Sequence, residues 1–453
     1  MHPPPAEVLA RVVKAYDVRG LVDTELDATL MYALGRAAAE VLAAPRFAVG
    51  WDMRDSSSRL AAAFIDGVRD HGVDVIEVGL ASTDTVYYAS GALDAAGAMV
   101  TASHNPPTDN GVKLCRPGAA PVSIDTGLAE IRDLAARSAP PPVAERGRLT
   151  RRDVTEAFAA HARSFVDPDA LGTVHVVVDA GNGMAGHLWP RVVDGTPVVT
   201  TPLYFELDGR FPNHPADPLD PANLVDLAAE VRGVGADLGL AFDGDADRVF
   251  AVDEEGRTVS SSLVGAVVAE RLLVDEPGGV VLHNLICSRA VPEAVRSAGG
   301  TAVRTRVGHS FIKAEMARTG AVYGVEHSGH HYFRDNFRAD SGVIAALILL
   351  EAVAAVGGPL SRLVAPHDRY ASSGEASLRV TDPAAALDEV AAAFADRGDV
   401  DHLDGLTVDT GPAWFNLRPS NTEPLLRLNV EGRDDSTMRR LRDDVLRVVA
   451  DGR

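Results

Sequence analysis

Apolar, β-branched runs that end in polar turns recur three times along the chain. Each is followed by a helical periodicity, a glycine and a second β-rich run. The first copy is Phe47–Asp52 (FAVGWD), a helix around Ser58–His71, then Val73–Gly79 (VDVIEVG). The second is Val174–Gly183 (VHVVVDAGNG), a helix from about Met184, then Thr196–Pro202 (TPVVTTP). The third is Gly279–Asn284 (GVVLHN), a helix around Arg289–Ser297, then Thr301–Gly308 (TAVRTRVG). Strands that are apolar throughout belong in sheets covered on both faces, which predicts parallel βαβ units. Copies spaced by on the order of a hundred residues predict three similar α/β domains rather than a solenoid.

Three segments have linker character: Ser138–Arg148 (SAPPPVAERGR), the turn Asp253–Gly256 and Gly357–Arg369. Beyond the last, the pattern predicts a helix around Ala384–Ala395, strands near Leu406, Trp414–Leu417 and Leu425–Glu431, and a final helix Asp435–Ala450, a smaller α+β domain. The expected division is 1–148, 149–253, 254–367 and 368–453. The most apolar run, Val343–Val356, is too short to span a bilayer and carries Glu351, so it reads as a buried helix. The N-terminal segment lacks the apolar core of a secretory signal.

Composition narrows the function. Hydrophobic residues are 46% and charged residues 24% of the 453, a globular balance. The 43 Lys and Arg against 64 Asp and Glu leave a formal charge of −21. That field repels nucleic acid and anionic membranes, so neither is an expected partner, and an anionic substrate must be held by local cations or a metal. Two distant cysteines, Cys115 and Cys287, exclude a disulfide framework and point to a reducing cytoplasm.

Five segments carry candidate chemistry. In Thr101-Ala102-Ser103-His104-Asn105-Pro106 a serine at a strand end has a histidine beside it. The hydroxyl suits a nucleophile or phosphoryl carrier, or else a local turn bond. Asp243-Gly244-Asp245-Ala246-Asp247-Arg248 places three carboxylates at alternate positions between strand-like flanks. They suit one hard cation, with Mg²⁺ ahead of Ca²⁺. An EF-hand loop ending at Glu254 is opposed by Arg248 where glycine is needed and by the flanks. Gly181-Asn182-Gly183-Met184-Ala185-Gly186 with Glu206 matches a dinucleotide fingerprint and keeps an NAD(P)-dependent dehydrogenase as a rival, although Asp179 would oppose a pyrophosphate.

The fourth segment, Gly324-Val325-Glu326-His327-Ser328-Gly329-His330, suits adjacent sugar hydroxyls through Glu326 and Ser328. The H-E-x-x-H pattern of a zinc site is missing from it, and Arg306 and His309 lie nearby in sequence. In the fifth, Arg418-Pro419-Ser420-Asn421-Thr422-Glu423-Pro424, an arginine, hydroxyls and turn N–H groups make either a phosphate cradle or a Pro-bounded turn.

Together with Tyr16-Asp17-Val18-Arg19-Gly20, the Ser103, Asp243–Arg248, Glu326–Ser328 and Arg418 segments, without the glycine-rich one, resemble, in order and spacing over essentially the whole chain, the α-D-phosphohexomutase superfamily in its phosphomannomutase/phosphoglucomutase branch. The resemblance implies three similar α/β domains with mixed sheets and a C-terminal α+β domain of the TATA-box-binding-protein-like class, around a central cleft. It implies that Ser103 is the phosphoserine and that Asp243, Asp245 and Asp247 hold Mg²⁺ with the Ser103 phosphate. Arg248 would face the reacting phosphoryl, while His104 and Lys113 would assist proton transfer and charge balance. Glu326 and Ser328 would bind the sugar hydroxyls, with His309 over the ring as acid/base or orienting group. Arg418, Ser420, Asn421 and Thr422 would hold the non-reacting phosphate, and Tyr16 and Arg19 would line the cleft. One departure stands out: Ile286 occupies a position where many relatives carry lysine.

The implied reaction interconverts mannose 1-phosphate and mannose 6-phosphate, and glucose phosphates as well, through hexose 1,6-bisphosphate. The implied partners are small hexose phosphates, and the chain is expected to be a monomer or weak dimer. A metal-dependent sugar phosphomonoesterase is the nearest alternative.

Overall fold

The computed structural model describes residues 3–137, 143–419 and 425–451. They fall into two compact units, Met1–Val264 with Ser328–Leu363, and Gly265–His327 with Val364–Arg453.

The first unit contains two mixed sheets. In one, Arg46–Trp51 runs parallel to Asp74–Leu80 and to Ala96–Val100. The strand Asp109–Arg116 returns antiparallel beside Ala96–Val100 and pairs in turn with Val18–Leu21. All five residues of Ala96–Val100 are buried, as expected for a central strand covered on both faces. Helices Ala28–Leu42 and Ser57–Asp70 pack against the sheet around Leu34, Phe47, Val49 and Phe64. Asp27 caps the first of them by accepting from the Leu30 N–H at 2.8 Å. The second sheet sets His175–Asp179 between Val199–Leu203 and Leu238–Phe242, all parallel, and Val249–Asp253 folds back antiparallel on Leu238–Phe242. In both sheets the chain makes a tight turn where a buried parallel strand ends, and that turn carries the chemistry.

Helix Gly342–Val356 belongs to the same unit and is buried from Gly342 through Val353. Its Glu351 is 3% exposed and accepts from the Asp167 N–H at 3.1 Å, which is how a carboxylate is accommodated in so apolar a helix.

In the second unit, Val280–Asn284 pairs in parallel with Thr301–Thr305 and Tyr323–Val325. The tail forms an antiparallel sheet in the order Ala371–Arg379, Leu425–Gly432, Ala413–Pro419, Leu406–Asp409, Asp399–Asp401. Helices Pro383–Phe394 and Asp435–Asp451 contribute Phe394 and Val445 to a core with Phe415, Leu417 and Leu428 from the sheet. The rings of Phe394 and Phe415 meet edge to face at 5.0 Å. Each such buried ring contributes roughly 2–3 kcal/mol from burial. The sequence pattern missed the two outer strands, Ala371–Arg379 and Asp399–Asp401, and also Tyr323–Val325. All three are short of the apolar alternation that announces a half-buried strand.

Candidate active site

The loop after Ala96–Val100 holds Ser103 in the left-handed region, at φ 53°. That conformation costs a non-glycine residue about 1–3 kcal/mol and needs support from its surroundings. The Ser103 N–H donates to Thr101 Oγ1 at 2.8 Å, and the Asn105 N–H donates to the Ala102 carbonyl at 3.0 Å. Arg54 supplies the rest. Its Nη2 donates to the carbonyls of Ser103 (2.9 Å) and Asn105 (2.6 Å), and its Nη1 to those of Pro106 (2.7 Å) and Asp109 (3.0 Å). Asp52 balances it at 3.3 Å, both side chains being buried. Arg19 also reaches this loop, donating to Asn105 Oδ1 at 2.6 Å and the Ala102 carbonyl at 3.3 Å, while Asp17 accepts from its Nε. Tyr16 sits in the same turn, half-buried.

The turn between Leu238–Phe242 and Val249–Asp253 brings Asp243, Asp245 and Asp247 to the serine, each no more than 1% exposed. Ser103 Oγ donates to Asp243 Oδ2 at 2.7 Å and lies 3.1 Å from Arg248 Nη2. Arg248 also donates to Asp243 Oδ2 at 2.6 Å and to His104 Nδ1 at 2.5 Å. Lys113, on Asp109–Arg116, donates to Asp245 Oδ2 at 2.7 Å and to Asp247 Oδ2 at 2.5 Å, and Thr83 Oγ1 donates to Asp245 Oδ2 at 2.5 Å. Two residues missed in the sequence, Arg54 and Thr83, thus complete the cluster. The signal for Arg54 was the Asp52-Met53-Arg54-Asp55 turn directly after an apolar strand.

Three carboxylates this close interact strongly. Burial pushes Asp243 up to about 7, with Arg248 pulling against it and the other two carboxylates adding. Burial also opposes the charge on Asp245, but Lys113 outweighs it, and Thr83 and Arg248 add to it, so this carboxyl lies well below its usual range. Lys113 is raised above the ordinary lysine value by Asp245 and Asp247 despite burial, which makes it a standing cation. Arg248, burial and Arg19 hold His104 down to about 2, so its ring is neutral.

The cluster fits a metal ion. Each of Asp243, Asp245 and Asp247 offers an oxygen, and these oxygens lie within 4.8 Å of one another. Asp245 Oδ1 and Asp247 Oδ1 are buried without a hydrogen-bond partner among the described residues. An all-oxygen donor set suits a hard cation. A second group, Asp247, His330 and Asp340, shares Asp247, and there His330 Nδ1 is bonded to Asp340 Oδ2 at 2.9 Å.

The second unit positions its candidates separately. Glu326, 3% exposed, accepts from the Gly308 N–H at 2.9 Å and from Asn284 Nδ2 at 3.3 Å, next to His309 at the start of helix His309–Thr319. Ile286 is buried close by in sequence, 8% exposed. Ser328, which belongs to the first unit, is half-buried in its turn. Arg418 ends a buried run of Ala413–Pro419 and donates to Glu375 Oε2 at 2.9 Å. Ser420, Asn421 and Thr422 lie outside the described residues.

The rival motifs have other uses. A Cβ at Gly183 would lie 2.7 Å from the Gly244 carbonyl oxygen, one at Gly186 2.2 Å from that of Phe205, and one at Gly244 2.4 Å from that of Ser103. The glycine-rich turn is therefore a close packing contact behind the carboxylate loop. Its Asp179 is taken by the Gly181 N–H (2.8 Å) and His214 Nε2 (2.9 Å). The EF-hand reading fails too: strands flank the loop, and Glu254 bonds the Ser361 N–H at 3.1 Å and Ser361 Oγ.

Four family profiles match the chain: phosphoglucomutase/phosphomannomutase alpha/beta/alpha domain I over residues 10–140, domain II over 155–256, domain III over 260–370, and the C-terminal domain over 375–448. A phosphomannomutase of Salmonella montevideo is 40% identical over 434 residues, covering 93% of this chain and 95% of that protein. A protein of Xanthomonas campestris pv. campestris named for phosphohexose mutases is 41% identical over 432 residues, covering 94% and 96%. The crystal structure of a phosphoglucomutase/phosphomannomutase family protein from Burkholderia thailandensis superposes with a TM-score of 0.89 at 32% identity, covering 97% of each chain.

Proposed function

Because the chain belongs to the phosphoglucomutase/phosphomannomutase family and is a phosphohexomutase, we propose that it interconverts mannose 1-phosphate and mannose 6-phosphate, and glucose phosphates as well, through hexose 1,6-bisphosphate. The reading is carried by one observation: Ser103 Oγ is buried within hydrogen-bond reach of both a carboxylate of the metal-binding cluster and the Arg248 guanidinium.

In the proposed cycle Ser103 carries a phosphoryl group. The free 6-hydroxyl of mannose 1-phosphate attacks phosphorus, the P–Oγ bond breaks, and Oγ leaves with the electron pair. The hydroxyl proton ends on Ser103 Oγ, with neutral His104, whose Nδ1 is 3.2 Å from that oxygen, as the proposed relay. In the second half Ser103 Oγ attacks the phosphorus at C1 and the sequence reverses, leaving mannose 6-phosphate. Arg248 stabilises charge on the transferring group, and Lys113 pairs with Asp245 and Asp247 and holds the Asp245 carboxyl below its usual range. A magnesium ion held by Asp243, Asp245 and Asp247 with a phosphoryl oxygen on Ser103 would neutralise part of the transferring charge.

The sugar hydroxyls are assigned to Glu326 and Ser328, with His309 as acid/base or orienting group. The non-reacting phosphate is assigned to Arg418 with Ser420, Asn421 and Thr422, and the lining to Tyr16 and Arg19. The proposal keeps a division into four domains near 148, 253 and 367; the four matched segments, 10–140, 155–256, 260–370 and 375–448, support the number of domains. We place the enzyme in the cytoplasm as a monomer or weak dimer. The location is supported by the cysteine usage, two buried residues far apart in the sequence, which suits a reducing compartment.

The test is a coupled assay on hexose 1-phosphates with trace bisphosphate, run beside an assay for inorganic phosphate. Isomerisation far exceeding phosphate release, with bisphosphate stimulating it, is the expected result. Stoichiometric phosphate release would make the chain a phosphomonoesterase instead.

A further inference from the structure

One face of the tail sheet is polar. Trp414, Asn416 and Arg418 stand opposite Glu431, Asn429 and Arg427 on the neighbouring strand. The pair Arg418–Arg427 sets two guanidiniums side by side, which is unfavourable unless an anion lies between them. Glu375 is that anion. Its Oε2 accepts from Arg418 Nη2 at 2.9 Å and from Asn429 Nδ2 at 3.3 Å, and its Oε1 accepts from Arg427 Nη1 at 2.6 Å.

Glu375 reaches this face through a bulge. Ser372 pairs with Glu431, and Glu375, three residues on, pairs with Asn429, only two residues back. A regular ladder would place Gly374 opposite Asn429 and Glu375 opposite Leu428, on the face that packs into the helix-covered core. The extra residue, with Gly374 at φ 65°, turns the carboxylate to the arginines. Arg418 is nonetheless only half engaged: it is 9% exposed, and its Nε has no hydrogen-bond partner among the described residues. A guanidinium fork with one nitrogen on a carboxylate and another buried without an acceptor is suited to take a second oxyanion.

Resting on the reading of Arg418 as ligand of the non-reacting phosphate, we propose that Glu375 is a built-in competitor for that phosphate. Its carboxylate holds Arg418 and Arg427 in the free enzyme and yields them when substrate binds. It thereby sets how tightly the phosphate is held and how readily it lets go when the bisphosphate intermediate must turn around. With Glu375 the trio carries one net positive charge and without it two, and a dianion bound to two uncompensated arginines leaves slowly. Glu375 is a positioning residue here, acting on substrate through the arginines.

The test is steady-state kinetics of Glu375→Gln with mannose 1-phosphate as substrate and inorganic phosphate as competing inhibitor. Removing one charge near a dianion lowers both KM and the phosphate inhibition constant by about tenfold, while kcat falls as release slows. Glu375→Asp, whose shorter stem cannot span both guanidiniums, shifts the same constants in the same direction by a smaller factor, and decides the matter alone if the Gln variant does not fold. Unchanged or raised constants overturn the proposal, since a carboxylate that is only scaffold would weaken phosphate binding when removed. Arg418→Gln is run alongside. If it leaves KM and phosphate inhibition unaltered, the assignment of Arg418 has failed, whatever Glu375 does.

Discussion

A serine hydroxyl in water is a weak nucleophile, and nothing about its type distinguishes Ser103 from other serines of the chain. Its surroundings do: a left-handed backbone, an acceptor in Asp243, and Arg248 at 3.1 Å. The backbone is held chiefly by Arg54, which donates to four carbonyls of residues 103–109. Lysine keeps the charge but has a single nitrogen in place of a planar fork. Arg54→Lys is therefore expected to lower kcat about a hundredfold through misplacement of Ser103, with KM changed far less, while Ser103 still accepts phosphate. Equal loss in kcat/KM and in the phosphate content of Ser103 would mean that Arg54 matters for folding alone. Ser103 and the aspartates were legible in the sequence because their spacing is local. The polar turn that carries Arg54 is visible after its apolar strand, but its target was not legible, because it acts on backbone oxygens about fifty residues away.

At the scale of elements, two turns at the ends of buried strands deliver the serine and the carboxylates to one place. The apolar runs Ala96–Val100 and Leu238–Phe242 were readable because every residue in them is buried. Ala371–Arg379 was hard to read for a definite reason: its bulge shifts the period of two by one residue, so Ala371 and Ser373 are out of phase with Ala376 and Leu378 and no single alternation runs through the strand. In the third-domain sheet, His283 sits on the buried strand Val280–Asn284 with its ring Nδ1–H donating to the Asn284 carbonyl at 3.1 Å. Burial pushes it down from 6.5 to about 4. Above the ordinary value both folded and unfolded chains hold it neutral. Below it the unfolded chain gains a proton that the folded one refuses until its own lower value is reached. Stability is therefore lost as pH falls from 6.5 through 4, by up to roughly 3 kcal/mol for this group. Urea unfolding across that range is expected to give a steeper acid limb for the native chain than for His283→Gln; identical slopes would contradict it.

Across the whole molecule, a chain of charge −21 binds small dianions. The first unit gathers Arg19, Lys113 and Arg248 around Ser103, and the second holds Arg418 and Arg427. The threefold α/β repeat and the distinct tail were visible in the order of apolar runs, because each domain closes its own sheet. The ion-pair partners were not, since Lys113 and the aspartates it neutralises are more than a hundred residues apart in the sequence.

The central claim is that Ser103 relays the phosphoryl group. The most direct measurement is peptide-mapped mass spectrometry of the enzyme after equilibration with a hexose 1,6-bisphosphate, followed by a chase with a hexose monophosphate. One phosphoryl group on the Ser103 peptide, discharged to the sugar as fast as turnover and missing from an inactive Ser103→Ala, is the predicted result. Phosphate on another residue, or a Ser103→Ala enzyme that still isomerises, would contradict the account.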